Sequence, residues 1–230
     1  MDHAKSILEK ALGEGRTALS EHESKEFLRA YGIPVTREIE VFDREGLPPA
    51  LQEIAYPLVM KASSPRLLHK SERGLVKIDI RNAGEAEAAF EALRSAMDEA
   101  QGAVLVQEMI RGQRELMVGM TRDPQFGPCV MFGLGGIFTE ILKDVSFRVA
   151  PLERRDALEM TREIRAHRIL EEVRGLPAAD MEQLEAILIG VGVIGLQHEA
   201  IREIDINPMI LAGSRPVAVD ALIILNRDTH

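Results

Sequence analysis

The residues best suited to chemistry fall in two groups. The first is the stretch 59–80 (VMKASSPRLLHKSERGLVKIDI), where β-like runs at 58–62 and 75–80 flank a polar loop. Lys61, His69, Lys70, Ser71 and Gly74 lie in or beside that loop. An apolar strand that ends in a lysine and opens into a cationic, glycine-containing loop suits a polyphosphate, because backbone N–H groups and ammonium ions share its charge. The same lysine would also serve as a solvated residue at a strand end. The second group lies near the C-terminus, where 204–206 and 217–224 read as neighbouring strands joined by a turn, PMILAGSRP. This places Asp205, Asn207 and Asp220 near one end of a sheet. Carboxylate and amide oxygens are the ligands that hard Mg²⁺ prefers, and the ion completes its shell with water and substrate phosphate. Asp205 and Asn207 would equally serve the turn ahead of Pro208.

A third feature is the segment GLGGIFTEILKD, with glycines at 133, 135 and 136 behind an apolar run at 128–132. Its glycine spacing is not that of the dinucleotide fingerprint, and no helical pattern opens behind it. It reads either as a turn at a strand end or as a close approach of backbone to ligand.

The elements that must position these residues alternate between the two periodicities. Ser20 and Glu23 form a capping-box pattern ahead of Phe27, Leu28 and Tyr31, and Gly32 and Pro34 stop that helix, which spans 20–31. Then come a β-like run at 39–42, a helix ending near Ala55, the strand–loop–strand, and a helix over 83–100. Runs at 103–109, 115–120 and 128–132 read as strands, and 153–174 and 178–195 as helices separated by Gly175 and Pro177. Residues 4–12 read as a short helix in a detachable arm. Alternation of this kind indicates an α/β sheet protein.

Bulk composition narrows the function classes. With 230 residues, 46% of them hydrophobic, the chain can bury a large core without staples. A formal charge of −9 argues against a general nucleic-acid or anionic-membrane surface, so an anionic ligand needs a focused pocket. The one cysteine, Cys129, sits in an apolar run and reads as a buried, inert thiol, which suits a reducing compartment. The charged N-terminus lacks a signal-peptide core and no run approaches the ~18 apolar residues of a membrane span, so the expected location is the cytoplasm.

Five motifs carry a resemblance: LSEHESKEFLRAYGIP, MKASSPRLLHKSERGLV, VLVQEMIRGQRELMVGM, FGLGGIFTEILKDVSFRVAPL, and EIDINPMI with VAVDA. Their order is that of the nucleotide-binding β subunit of NDP-forming acyl-CoA synthetases, relatives of succinyl-CoA synthetase whose β fold is an ATP-grasp. The chain resembles that family over residues 17–225. The resemblance implies an arm at 1–16 and an ATP-grasp domain at 17–230, with a small lobe of about 32–103 and a large lobe of 17–31 plus 104–226 enclosing a nucleotide site.

By that resemblance Lys61 contacts nucleotide phosphates, with Lys70, Ser71 and Gly74 in the same loop. Gln107, Glu108, Met109 and Ile110 match the hinge that reads adenine, and Glu115 matches a glutamate of the nucleotide site. Asn207 and Asp220 match the Mg²⁺ ligands. His69 looks like a phosphate carrier of the ADP-forming acetyl-CoA synthetase branch, receiving the phosphoryl group from a partner histidine and passing it to ADP, and Asp205 would orient it. Imidazole suits this role, since one ring nitrogen attacks phosphorus while a carboxylate holds the other.

The family has a glycine pair before the second strand of the loop, whereas here Gly74 is followed by Leu75. Leucine resists positive φ, so either one permissive position suffices or the loop closes differently. Nothing in the chain resembles the family's CoA-binding or swinging phosphohistidine domains. The implied enzyme therefore needs a separate CoA-binding α subunit, in an α₂β₂ assembly. Two other classes remain open on the residues alone: an ATP-grasp carboxylate–amine ligase, and a nucleotide-sensing subunit without turnover.

Overall fold

Buried apolar runs order the chain into two antiparallel sheets, each with its own core. The computed structural model describes residues 2–64, 74–97, 102–136 and 143–226. They divide into two units, one of residues 20–22 and 36–109, the other of residues 1–19, 23–35 and 110–230.

The smaller unit is built on a four-stranded sheet of order β1-β4-β2-β3. Its strands are β1 (Glu38–Val41), β2 (Leu58–Ser63), β3 (Val76–Ile80) and β4 (Ala103–Glu108). All six residues of β2 are buried, as an interior strand covered on both faces requires. Leu58, Met60 and Ala62 point into a core shared with Phe90 and Leu93 of α4 (Ala83–Ala96) and with Leu47 and Ala50 of α3 (Leu47–Glu53). Asn82 caps α4 by accepting from the Glu85 N–H at 3.0 Å.

The larger unit is built on a six-stranded sheet of order β10-β8-β5-β6-β7, with β9 paired to β8. The strands are β5 (Glu115–Asp123), β6 (Gly127–Leu134), β7 (Val145–Val149), β8 (Ile201–Ala212), β9 (Arg215–Ala218) and β10 (Leu222–Leu225). Its helices include α5 (Arg154–Glu163) and α6 (Met181–Gln197). Leu184, Ile187, Leu188, Val191 and Ile194 of α6 are buried in one core with Val118, Val130 and Phe132 of the sheet. A Cβ on Gly195 would stand 2.7 Å from that of Pro128, so glycine lets α6 settle against the start of β6.

Two N-terminal helices complete the chain: α1 (Asp2–Gly13) and α2 (Glu21–Ala30), the latter followed by Gly32 at φ +76°. Far from being detachable, α1 buries Ala4, Leu8 and Ala11 in the larger core, because residues spaced four and three apart fall on one helical face.

Four expectations need correction. The helix expected over 153–174 is α5 followed by a 3₁₀ turn, His167–Leu170. Asp144 breaks it by accepting the N–H groups of Arg165 and Ala166 at 2.8 Å each. Strand β7 was not visible in the sequence, because it is an edge strand whose outward residues, Phe147 and Val149, are apolar and about half exposed, so no polar alternation marks it. The expected turn at 208–216 is largely strand. β8 continues through Pro208 to Ala212, a two-residue turn at Gly213 (φ +66°) and Ser214 follows, and the run at 217–224 is split between β9 and β10. Cys129 is half-buried rather than buried, and burial pushes its thiol pKa up. No helix among the described residues is long and apolar enough to cross a membrane.

Arg114 ties the larger unit's loops together. It is buried and donates to the carbonyls of Ile169 (3.1 Å), Pro177 (2.8 Å) and Gly213 (2.7 Å). Arg114→Met keeps the stem and strands those carbonyls, so it should cost about 2–4 kcal/mol of unfolding free energy in urea titration.

Candidate functional site

In the smaller unit, side chains 59, 61 and 63 of β2 and 103, 105 and 107 of β4 share the sheet face opposite α4, because Lys61 pairs with Leu105 and Val59 with Gln107. Lys61 is not a solvated strand end. It sits in an interior strand, 4% exposed, and its Nζ donates to Glu21 Oε1 at 2.7 Å. Gln107 is fully buried, and Ser63 Oγ is buried without a hydrogen-bond partner among the described residues. Beside them His22 Nδ1 lies 3.0 Å from Glu38 Oε1. Apolar strands thus hold a band of polar side chains out of water, where each electrostatic contact is stronger than at a surface.

Glu108, at the end of β4, is engaged by Arg37: its carboxylate accepts the Arg37 N–H at 2.8 Å and Nε at 3.4 Å, and its own N–H donates to the Arg37 carbonyl at 3.0 Å. The chain passes from the smaller to the larger unit between Met109 and Ile110. Gly74 has φ +69°, whereas Leu75 is a core residue whose carbonyl accepts the Ala62 N–H at 3.0 Å. Of the pair that departs from the family pattern, only Gly74 needs a permissive conformation, and Leu75 anchors the start of β3. His69, Lys70 and Ser71 lie outside the described residues.

In the larger unit the decisive feature is a register shift. Leu116 pairs with Met209 and Val118 with Ile206, so Asn207 and Pro208 together oppose the single residue Met117. This is a β-bulge at Asn207–Pro208. Asn207 Oδ1 accepts the Gly136 N–H at 3.0 Å, and the Gly135 N–H donates to the Glu115 carbonyl at 2.9 Å. Gly136 has φ +62°, and a Cβ there would collide with the Glu115 carboxylate. The backbone at the end of β6 thus turns at Gly136 and lies against the side chains of Glu115 and Asn207. Asp205, half-buried, pairs across the sheet with Gly119 on one side and Leu222 on the other. The chain at Asp220 runs beside Asn207, since the Val219 N–H donates to the Pro208 carbonyl at 3.0 Å and Leu222 pairs with Asp205.

A cavity of about 300 Å³ is lined by Met117, Met131, Thr121, Glu203, Asp205 and Asn207 among others. Glu203 had not been singled out, although its spacing of two from Asp205 and four from Asn207 is a readable period-2 signal. Glu21 had no such signal, because the capping-box pattern drew attention to Ser20 and Glu23. Glu23 accepts both terminal nitrogens of Arg16, at 2.6 and 2.9 Å. No group of three or more His, Cys, Asp or Glu that could hold a metal occurs among the described residues. Asn207 and Asp220 carry oxygen donors of the type a hard cation takes, with water and phosphate completing its shell.

The ATP-grasp domain family matches residues 10–225. The chain belongs to the ATP-grasp family. This ATP-grasp chain is 48% identical to the β subunit of acetate–CoA ligase (ADP-forming) I of Pyrococcus furiosus, over 96% of this chain and 97% of that one. It is also similar to the acetyl-coenzyme A synthetase 1 of Ca. Korarchaeum cryptofilum solved with coenzyme A and Ca-AMPCP, with 41% identity, TM-score 0.92, and 97% of this chain and 100% of that one covered. A further structure of that synthetase, with coenzyme A and Mg-AMPPCP, has a phosphohistidine segment pointing towards the nucleotide binding site; identity is 42%, TM-score 0.85, with the same coverage. This ATP-grasp chain is thus a homologue of the β subunits of ADP-forming acetyl-CoA synthetases.

Gly136→Ala tests the close approach. It would displace the Glu115 carboxylate and place alanine at positive φ, costing about 1 kcal/mol of stability. Titration calorimetry should show Mg-ADP binding weakened by about tenfold or more while circular dichroism stays native.

Proposed function

We propose that this chain is the nucleotide-handling β subunit of an ADP-forming acyl-CoA synthetase. With a separate CoA-binding α subunit it catalyses acyl-CoA + ADP + phosphate ⇌ carboxylic acid + CoA + ATP. The observation that carries this reading is the match to the P. furiosus β subunit from end to end, 96% of one chain against 97% of the other. The acid of that relative is acetate, and a small carboxylic acid is accordingly the expected substrate of the complex.

The roles follow the chemistry of each group. Lys61 places an ammonium on the nucleotide phosphates, and Lys70, Ser71 and Gly74 add donors from the adjoining loop. The backbone of Gln107–Ile110 reads adenine. Because Arg37 occupies the Glu108 carboxylate, main-chain groups bear most of that recognition. Glu115, held against Gly136, lines the nucleotide site. Asn207 and Asp220 would hold Mg²⁺ through their oxygens. When bound, that ion neutralises phosphate charge as the phosphoryl group moves.

His69 is the carrier. A nitrogen of its imidazole attacks phosphorus on the α subunit's phosphohistidine, whose P–N bond breaks as the new one forms. An oxygen of the ADP β-phosphate then displaces His69 from phosphorus, giving ATP and returning the imidazole. Asp205 accepts the N–H of the ring nitrogen that does not react and stabilises the charge that develops there. Transfer of this kind needs placement and charge neutralisation more than covalent assistance, and the strand-borne residues supply both.

His69→Asn in the α-complemented enzyme should reduce ATP formation to background while leaving Mg-ADP binding within about twofold of wild type. Wild-type turnover would sink the carrier role. The Asn207→Ala, Asp220→Ala double variant should lose the Mg²⁺ dependence of ADP binding in calorimetry, and a retained dependence would move the metal elsewhere.

A further inference from the structure

We propose that Glu21, the first residue of α2, is the positioning residue for Lys61 and keeps that lysine charged and aimed for phosphate. The inference rests on the reading of Lys61 as the phosphate lysine and adds to it a residue that the sequence did not mark.

The geometry is direct. Lys61 Nζ donates to Glu21 Oε1 at 2.7 Å, with side-chain exposures of 5% and 1%. Lys61 lies in a strand whose six residues are all buried, paired with Val76 on one side and Leu105 on the other. A lysine taken out of water without a counter-ion sheds its proton, and a neutral amine has no charge to offer a phosphate. A carboxylate at hydrogen-bonding distance reverses that preference and makes the charged form the stable one.

Position follows from the same contact. A lysine stem is flexible and would otherwise sample several rotamers. Here the strand neighbours confine the stem and Glu21 fixes its end, so the ammonium is ordered before ligand arrives. An ammonium has three donors, so anchoring to one carboxylate does not exhaust it. Protein kinases use a strand lysine held by a helix glutamate for the same purpose on ATP phosphates. Glu21 touches no reacting atom in this scheme and acts through Lys61.

The test is Mg-ADP titration calorimetry on the full chain, with circular dichroism and melting of every variant. Glu21→Gln and Lys61→Met should each weaken binding by about tenfold or more. The double variant Glu21→Gln, Lys61→Met should bind no more weakly than Lys61→Met, because Glu21 has nothing left to position. Glu21→Asp, which keeps the charge, should recover most of the affinity. The double variant removes both buried charges together and so keeps a foldable core if Glu21→Gln alone does not fold. Its comparison with Lys61→Met then decides the matter. Glu21→Gln binding as tightly as wild type, or a double variant clearly weaker than Lys61→Met, would overturn the inference. A wild-type chain that bound no Mg-ADP would instead overturn the nucleotide reading, and this inference with it.

Discussion

The larger unit depends on the register of β8. This strand pairs with β5, β9 and β10 and must keep its apolar side chains in the core over twelve residues. In a regular strand a single parity would serve from end to end, and one extra residue would turn everything beyond it to the other face. Next to the bulge, the core residues are Ile204 and Ile206 before it and Met209 and Leu211 after it. Up to the bulge Glu203, Asp205 and Asn207 alternate with the core residues and line the cavity. The extra residue at Asn207–Pro208 then changes the parity and returns Met209 and Leu211 to the core.

This accounts for what could be read from the residues and what could not. Helix α2 was legible because a capping pattern, an apolar stripe and a glycine stop all agree. The strands β2, β4 and β5 were legible as apolar runs. The second half of β8 was not, since Pro208 and the parity change both imitate the end of a strand, and the chain was read as turning where it continues. The edge strand β7 failed for a different reason: Phe147 and Val149 are apolar yet outward, so the alternation that identifies a half-buried strand is missing. Within the candidate site, Lys61, Asp205, Asn207 and Asp220 were chosen by residue type and by resemblance. Their settings were not visible. The Glu21 contact spans forty positions of sequence, and the Gly136 contact to Asn207 spans seventy-one, so no local pattern encodes either one.

Buried charge does two separate jobs in this protein. Arg114 and Asp144 act on backbone, Arg114 through loop carbonyls and Asp144 through loop N–H groups, so that irregular segments can be held without regular secondary structure. Such contacts satisfy groups that would otherwise be costly to bury, and they leave no charge directed at a ligand. The Lys61–Glu21 pair differs in kind. It joins two side chains held out of water within the smaller unit. Replacing both partners of such a pair by well-packed apolar residues often leaves stability unchanged, and the proposed phosphate-binding role of Lys61 gives the charge a use.

Lys61 and Asn207 are both held within paired strands, β2 and β8. Side chains on paired strands keep their geometry better than side chains on loops, because the backbone that carries them is fixed by hydrogen bonds on both sides. A phosphoryl transfer gains little from covalent help and much from donors that need no reordering when charge moves. In the roles proposed for Lys61 and Asn207, placement on paired strands meets that requirement.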